Sequence, residues 1–187
     1  MEKMKTLFVR DFTSGECPAT REIAAGCEWV SQGEGTPTQK LDGTACMVRD
    51  GKFYKRYTAK GKKPPDGFEP VGEPENGKQP GWVPVGEGPE DAHHREAFEP
   101  HRGDWTDGTY ELIGPKIQGN PEHWPRHYLA RHDLQVFASG NVPPRDYDGL
   151  REYLARMDIE GIVWHHPDGR MVKLKKSDFG LPRIPDA

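Results

Sequence analysis

Three cysteines in 187 residues, Cys17, Cys27 and Cys46, form no CxxC pair and leave an odd count. That excludes a disulfide framework and offers no zinc-knuckle spacing. Cys46 sits in an apolar, strand-like stretch and is expected as a small core residue. Long apolar runs are also missing. No stretch approaches the roughly 20 apolar residues of a membrane span, and the first residues contain no uninterrupted apolar signal segment. The expected setting is therefore a reducing cytoplasm, with no membrane attachment. A basic excess is absent as well. The formal net charge of −4 excludes a uniformly basic nucleic-acid coat and leaves room for a local basic groove.

What is present is a polar, loop-rich chain. Hydrophobic residues make up 33% and charged residues 30%, while Gly (22) and Pro (18) together exceed a fifth of the sequence. Aromatics and Val/Ile/Leu runs nonetheless point to a folded core, and the length suits one domain over residues 1–187. Two basic clusters stand out: Arg49, Lys52, Lys55, Arg56, Lys60, Lys62 and Lys63, then Arg170, Lys173, Lys175 and Lys176. Each reads equally as a solvated face or as a phosphate-contacting surface.

Along the chain, Lys5 to Phe12 alternates like a strand or extended arm. Residues 20–30 suggest a short helix leading into Cys27-Glu28-Trp29-Val30, followed by a Gly-rich turn at 32–36. Residues 39–56 read as a strand-turn-strand unit, with Asp50-Gly51 as a strong hairpin signal. From Gly61 to Gly88, Pro and Gly dominate without periodicity. A lid or substrate-facing loop is expected there, pinned by Trp82, Val83 and Val85. A helical turn is expected over 92–98 and a strand over 109–114, with another over 134–137. Leu150 and Leu154 set a helix over 147–156. A closing hairpin runs from Ile159 to Lys175 through a His-Pro-Asp-Gly turn.

Lys40-x-Asp42-Gly43 places a lysine at the entrance of an apolar strand. Such a match arises by chance in about 4% of chains this long, so context has to carry it. Lysine becomes a nucleophile when desolvated or crowded by cations, and Arg56 with two later lysines could supply that field. Lys173 and Lys175 are two apart on a strand and point to one face, where both can meet one phosphate. Glu111 and Glu160 are strand carboxylates in apolar company, suited to ribose hydroxyls or to magnesium. The pairs His93-His94 and His165-His166 invite a metal reading, but neighbours on a strand face opposite ways, an objection that weakens in a helix or loop.

In order, Lys40-Leu41-Asp42-Gly43, Arg56, Tyr110-Glu111-Leu112, Glu160-Gly161-Ile162-Val163 and Lys173-Leu174-Lys175 resemble the motifs of ATP-dependent polynucleotide ligases in the covalent nucleotidyltransferase superfamily. The text is most similar to RNA ligases of the phage RNA ligase 1 type, across residues 5–181. The resemblance implies an α+β, ATP-grasp-like nucleotidyltransferase fold with two antiparallel sheets around a nucleotide cleft. It implies this domain alone, without an OB-fold. It implies ATP with Mg2+ or Mn2+, and RNA bearing 5′-phosphate and 3′-hydroxyl ends. A protein partner is compatible and not indicated.

By the same resemblance, Lys40 is the residue adenylylated and Arg56 contacts nucleotide or RNA phosphate. Glu111 accepts from the ribose, Glu160 holds the metal, and Lys173 and Lys175 clamp the α-phosphate. Gln39 and Leu41 flank the nucleophile and present backbone groups to adenine. The adenine-stacking ring is open among Tyr110, Phe137 and Trp164. Lys116 is open between a phosphate contact and a loop cap. RNA contacts are expected from the basic segment 49–63 and from the Pro/Gly-rich loop, directed at phosphates. Two other enzymatic readings remain, a DNA nick ligase and an RNA 5′-adenylylating enzyme, and so does a non-catalytic nucleotide- or RNA-binding module.

Overall fold

Asp50 and Gly51 take φ of 51° and 68°, the left-handed backbone that a tight two-residue hairpin turn demands. In the computed structural model, which describes residues 4–13, 18–61 and 63–183, this turn joins the two central strands of the larger sheet. Cys17 and Lys62 lie outside the described residues.

The elements in chain order are β1 (Lys5–Thr6), β2 (Phe8–Arg10), β3 (Ala19–Ile23), α1 (Glu28–Ser31), β4 (Thr36–Lys40), β5 (Thr44–Arg49) and β6 (Lys52–Lys60). There follow β7 (Glu69–Pro70), β8 (Lys78–Pro84), α2 (Ala92–Phe98), β9 (Gly108–Ile113), β10 (Tyr128–Arg131), α3 (Tyr147–Arg156), β11 (Gly161–His165) and β12 (Met171–Lys175). The mixture is α+β, mostly sheet with few helices. No helix among the described residues is long and apolar enough to cross a membrane.

The chain clusters into two compact units, one built on Asp42–His132 and the other on Met4–Leu41 with the segment from Asp133 onward. The first holds a six-stranded sheet, ordered β10-β9-β5-β6-β8-β7 and antiparallel throughout. Its core forms where Cys46, Val48, Phe53, Tyr110 and Leu112 meet Ala97 and Phe98 of α2. The rings of Phe53 and Phe98 stack at 4.6 Å. Beneath them Asp91 is buried, with its carboxylate paired to Lys55.

The second unit holds a four-stranded sheet, ordered β1-β12-β11-β4, and the separate pair β2-β3. The larger of these is not antiparallel throughout, as the sequence suggested: β1 runs parallel to β12, because a two-residue strand from the chain's start completes its far edge. Ile162, Trp164, Val172 and Leu174 point from one face onto Leu150 and Leu154 of α3. Each buried Leu or Ile of this kind contributes about 1.5–3 kcal/mol.

Several sequence expectations need correction. Residues 19–23 form a strand, not a helix, because pairing with β2 overrides local helix propensity. The helix in that region is confined to Glu28–Ser31. The expected loop over 61–88 is not structureless, since β7 and the seven residues of β8 lie within it and β8 buries Trp82 and Val83. Residues 134–137 form no strand. Leu134 and Val136 are exposed, and Val136 makes a lone bridge to Thr38. The strand of this region is β10, a few residues earlier.

Candidate functional site

The four-stranded unit brings Lys40, Glu160, Lys173 and Lys175 together by register. Lys40 on β4 lies opposite Gly161 on β11, which lies opposite Lys175 on β12. Directly opposed residues share a face, so the two lysines flank a position that has no side chain. A Cβ on Gly161 would lie 2.1 Å from the Leu174 carbonyl oxygen, which requires glycine there. Over this gap the Glu160 carboxylate binds both cations: Oε2 pairs with Lys40 Nζ, and Oε1 lies 2.9 Å from Lys175 Nζ.

One row further, Thr38, Val163 and Lys173 are in register on the same face. Burial, then the charges of Lys175, Lys40 and Arg10, hold the Lys173 ammonium below its ordinary ionisation range, against a smaller opposing pull from Asp178. Asp178 is itself buried. It takes the Arg10 guanidinium and the backbone N–H of Lys175, fixing the end of β12. The alternation read in Lys173-x-Lys175 is present, with Val172 and Leu174 inward and the two lysines on the open face. Lys176 departs from the expected basic cluster. It is 2% exposed, and its ammonium donates to the carbonyls of Met157 and Arg183.

The Gln39 N–H donates to the Gln135 carbonyl, and Leu41 is buried. Lys40 stands at the end of β4 rather than at the entrance of a longer strand, and the next strand, β5, belongs to the other sheet.

In the six-stranded unit, Glu111 on β9 lies between Ala45 on β5 and Ala130 on β10. Two alanines leave space around a carboxylate that is only 8% exposed. His132 Nε2 sits 2.7 Å from Glu111 Oε2, and its Nδ1 lies 3.0 Å from the Thr109 hydroxyl. A carboxylate only accepts, so Nε2 carries the proton. His132 was not found from the sequence. It lies 21 positions from Glu111, with no local spacing to announce it.

Lys55 opposes Cys46, which opposes Tyr110, on the face covered by α2. By alternation, Arg56 and Glu111 share the other face. Arg56 is half-buried over the Trp82 ring at 5.1 Å, and burial lowers its ionisation range from that of free arginine. Gly43 of the lysine motif belongs here for reasons of space: a Cβ would lie 2.3 Å from the Leu112 carbonyl oxygen and 2.7 Å from Glu111 Cγ.

Other sequence candidates separate. Tyr110 and Trp164 are buried in the two cores, and Phe137 packs against the second. Lys116 is an exposed turn residue with φ of 66°. In the basic segment, Arg49 is bound by Glu69 and Lys55 by Asp91, while Lys52 and Lys60 are exposed. His165 reaches Thr38, and His166 pairs with Glu34 and Asp168, so these neighbours share no site. His93 and His94 lie on α2, not on a strand.

A family profile described as RNA ligase 1 matches residues 89–187, a span that includes Glu111, Glu160, Lys173 and Lys175. The chain is 27% identical to RNA ligase 1 of Mus musculus over 220 aligned positions, covering 87% of this chain and 67% of the mouse protein. It is 30% identical to RNA ligase 1 of Pongo abelii over 139 positions, covering 57% and 42% of the two chains.

Proposed function

The chain belongs to the RNA ligase 1 family, and from that premise we propose that it is an ATP-dependent RNA ligase, joining 5′-phosphate and 3′-hydroxyl ends through a lysyl-AMP intermediate on Lys40. The observation that carries this reading is the row Lys40–Gly161–Lys175 with Glu160 bridging its ends and Lys173 one row away. Three cations on one sheet face suit a triphosphate, and two of them, Lys40 and Lys175, end their strands beside one carboxylate.

Lys40 must lose a proton before it attacks, and Glu160 is the carboxylate in contact with it. The Lys40 Nζ lone pair then forms a bond to the ATP α-phosphorus. The bond from that phosphorus to the bridging oxygen breaks, and pyrophosphate leaves. Lys173 and Lys175 stabilise the charge that develops on the α-phosphoryl oxygens, an electrostatic contribution of the oxyanion-hole type. Glu111, held by His132, accepts from the ribose hydroxyls, and Arg56 contacts nucleotide or RNA phosphate. An oxygen of the RNA 5′-phosphate next takes AMP from Lys40, breaking the N–P bond. The 3′-hydroxyl finally attacks that 5′-phosphate and AMP leaves. The single nucleotidyltransferase domain expected over residues 1–187, with its nucleotide cleft, is part of this proposal.

A magnesium ion fits the donor chemistry. Glu160 offers one hard carboxylate, and magnesium is ordinarily held by one or two carboxylates with phosphate oxygens and water. Bound there, the ion would supply charge neutralisation on the phosphates.

Incubation of wild type and Lys40→Ala with α-labelled ATP and Mg2+ or Mn2+, followed by a denaturing gel, tests the reading. A labelled band lost in the variant supports it. No label on protein shown to be free of prior adenylylation would overturn it and favour a nucleotide-binding module.

A further inference from the structure

We propose that His93, Glu96 and His127 form a binding site for a divalent transition-metal ion, zinc by preference, on the α2 side of the six-stranded unit. The site shares no residue with the proposed ligase chemistry and does not depend on it.

The three side chains bring their ligand atoms within 4.8 Å of one another. His93 and Glu96 are three apart on α2 and so share its face. His127 immediately precedes β10, and its ring stacks on that of His93 at 4.3 Å between centroids. Both Nδ1 atoms approach the same carboxylate oxygen, Glu96 Oε2, at 2.9 Å from His127 and 4.0 Å from His93.

The His127 side chain is 5% exposed. Its Nε2 lies 2.7 Å from the Pro115 carbonyl oxygen, which can only accept, so Nε2 bears the proton. In the neutral ring Nδ1 then carries a bare lone pair, 2.9 Å from Glu96 Oε2. Metal-bound histidines are held in this way, the far nitrogen donating to a backbone carbonyl and fixing the tautomer. Yet neither Nδ1 has a hydrogen-bond partner, and both are buried. The 2.9 Å approach is close without being aligned as a hydrogen bond. A cation lying off the line between nitrogen and oxygen would satisfy both at once, as tetrahedral coordination requires.

Two imidazoles and one carboxylate suit zinc and its first-row neighbours rather than magnesium or calcium, which prefer oxygen alone. Three protein ligands leave a fourth position for water. Glu96 and His127 also line a cavity of about 360 Å³ with Trp105, Tyr128 and Leu129, which gives that position access. The ion would tie α2 to the start of β10, and through the Pro115 carbonyl to the turn that follows β9.

The test uses the full chain, stripped with a chelator and titrated with Zn2+ and with Co2+. One equivalent should bind, with cobalt d–d bands of low-symmetry nitrogen and oxygen coordination. His93→Ala and Glu96→Gln should each weaken binding at least tenfold, on the scale of lost metal contacts. Lys40→Ala should leave it unchanged. His127→Ala should abolish it. Should that variant not fold, the two at the more exposed positions decide the matter. Absence of saturable binding, or binding that His93→Ala and Glu96→Gln leave intact, would overturn the assignment. So would full competition by millimolar Mg2+.

Discussion

Lys40 and Lys175 lie on strands that do not touch, yet they are held together by the two oxygens of one carboxylate, Glu160. The intervening strand contributes a glycine at that level. Two ammonium groups side by side repel, and the bridge offsets that repulsion in the free protein. A triphosphate entering between them would take over the role of counter-charge.

Lysine-to-alanine changes on β12 should separate charge stabilisation from nucleophilicity. Lys173→Ala and Lys175→Ala are each expected to lower the rate of self-adenylylation by roughly 10²–10³, the scale of losing one preorganised contact to developing charge. Lys40→Ala should give none. Single-turnover labelling with folded variants, checked by circular dichroism, measures this.

Gly161→Ala should fail for reasons of space. The new methyl would meet the Leu174 carbonyl oxygen, a backbone atom that cannot swing aside. Overpacking of this kind costs about 1–3 kcal/mol. Urea unfolding should show the loss, and labelling should fall with it, since the same movement separates Lys40 from Lys175.

Lys55→Met should be among the more damaging changes away from the site. It leaves the buried Asp91 carboxylate without its cation, a loss of about 3 kcal/mol or more. Burial pushes Asp91 up, but the Lys55 hydrogen bond, the Gly86 N–H and the charges of Lys55 and His94 outweigh it, and the net shift is below 3.8. A carboxylate lowered on folding contributes stability that is present above its unfolded value and lost as pH falls below 3.8 toward the folded one. Wild type should therefore lose this stability only under strong acid. In Lys55→Met burial is no longer offset by the ammonium, so the penalty should be full at neutral pH and shrink as acid neutralises the unpaired carboxylate, read from urea midpoints between pH 2 and pH 6.

His132→Ala should act through Glu111. Losing a hydrogen bond to a charged group costs about 1.5–3 kcal/mol, so the KM for ATP should rise roughly tenfold or more. The step at Lys40 at saturating ATP should change far less. His132→Gln, which can still donate to the carboxylate, should recover part of the loss. Equal effects on both parameters, with no recovery, would assign His132 a purely structural part.

The sequence carried much of this, unevenly. Helix α3 and the β11–β12 hairpin were legible because Leu150 and Leu154 mark one helical face and the strands alternate cleanly. The family was legible because its motifs keep their order, and the chain does belong to it. Strand β8 was hidden by Pro80, Gly81 and Pro84. Pro84 lies outside the β7 pairing, and Pro80 meets the chain just past β7 through its carbonyl, which accepts from the Val71 N–H and needs no donor of its own. Gly81 in turn admits the Glu69 carbonyl, which a Cβ would meet at 2.3 Å. That β4 and β5, three residues apart, serve different sheets is a matter of long-range pairing, which local pattern does not encode. The same holds for His132 beside Glu111 and for His127 beside Glu96.

The strand order of the smaller sheet also bears on how the molecule comes into being. All six strands of the larger sheet come from one unbroken stretch, 44–131, so that unit can form while synthesis continues. The smaller sheet combines β1 and β4 with β11 and β12, and Lys40 and Glu160 are 120 positions apart. Such distant pairings form late. A nascent chain that has emerged only as far as α3 carries Lys40 but has no β11 for it to pair with. Lys40 acquires Glu160 and the neighbouring lysines only once β12 has emerged, so under the proposed reaction a premature chain would lack the groups that let it be charged.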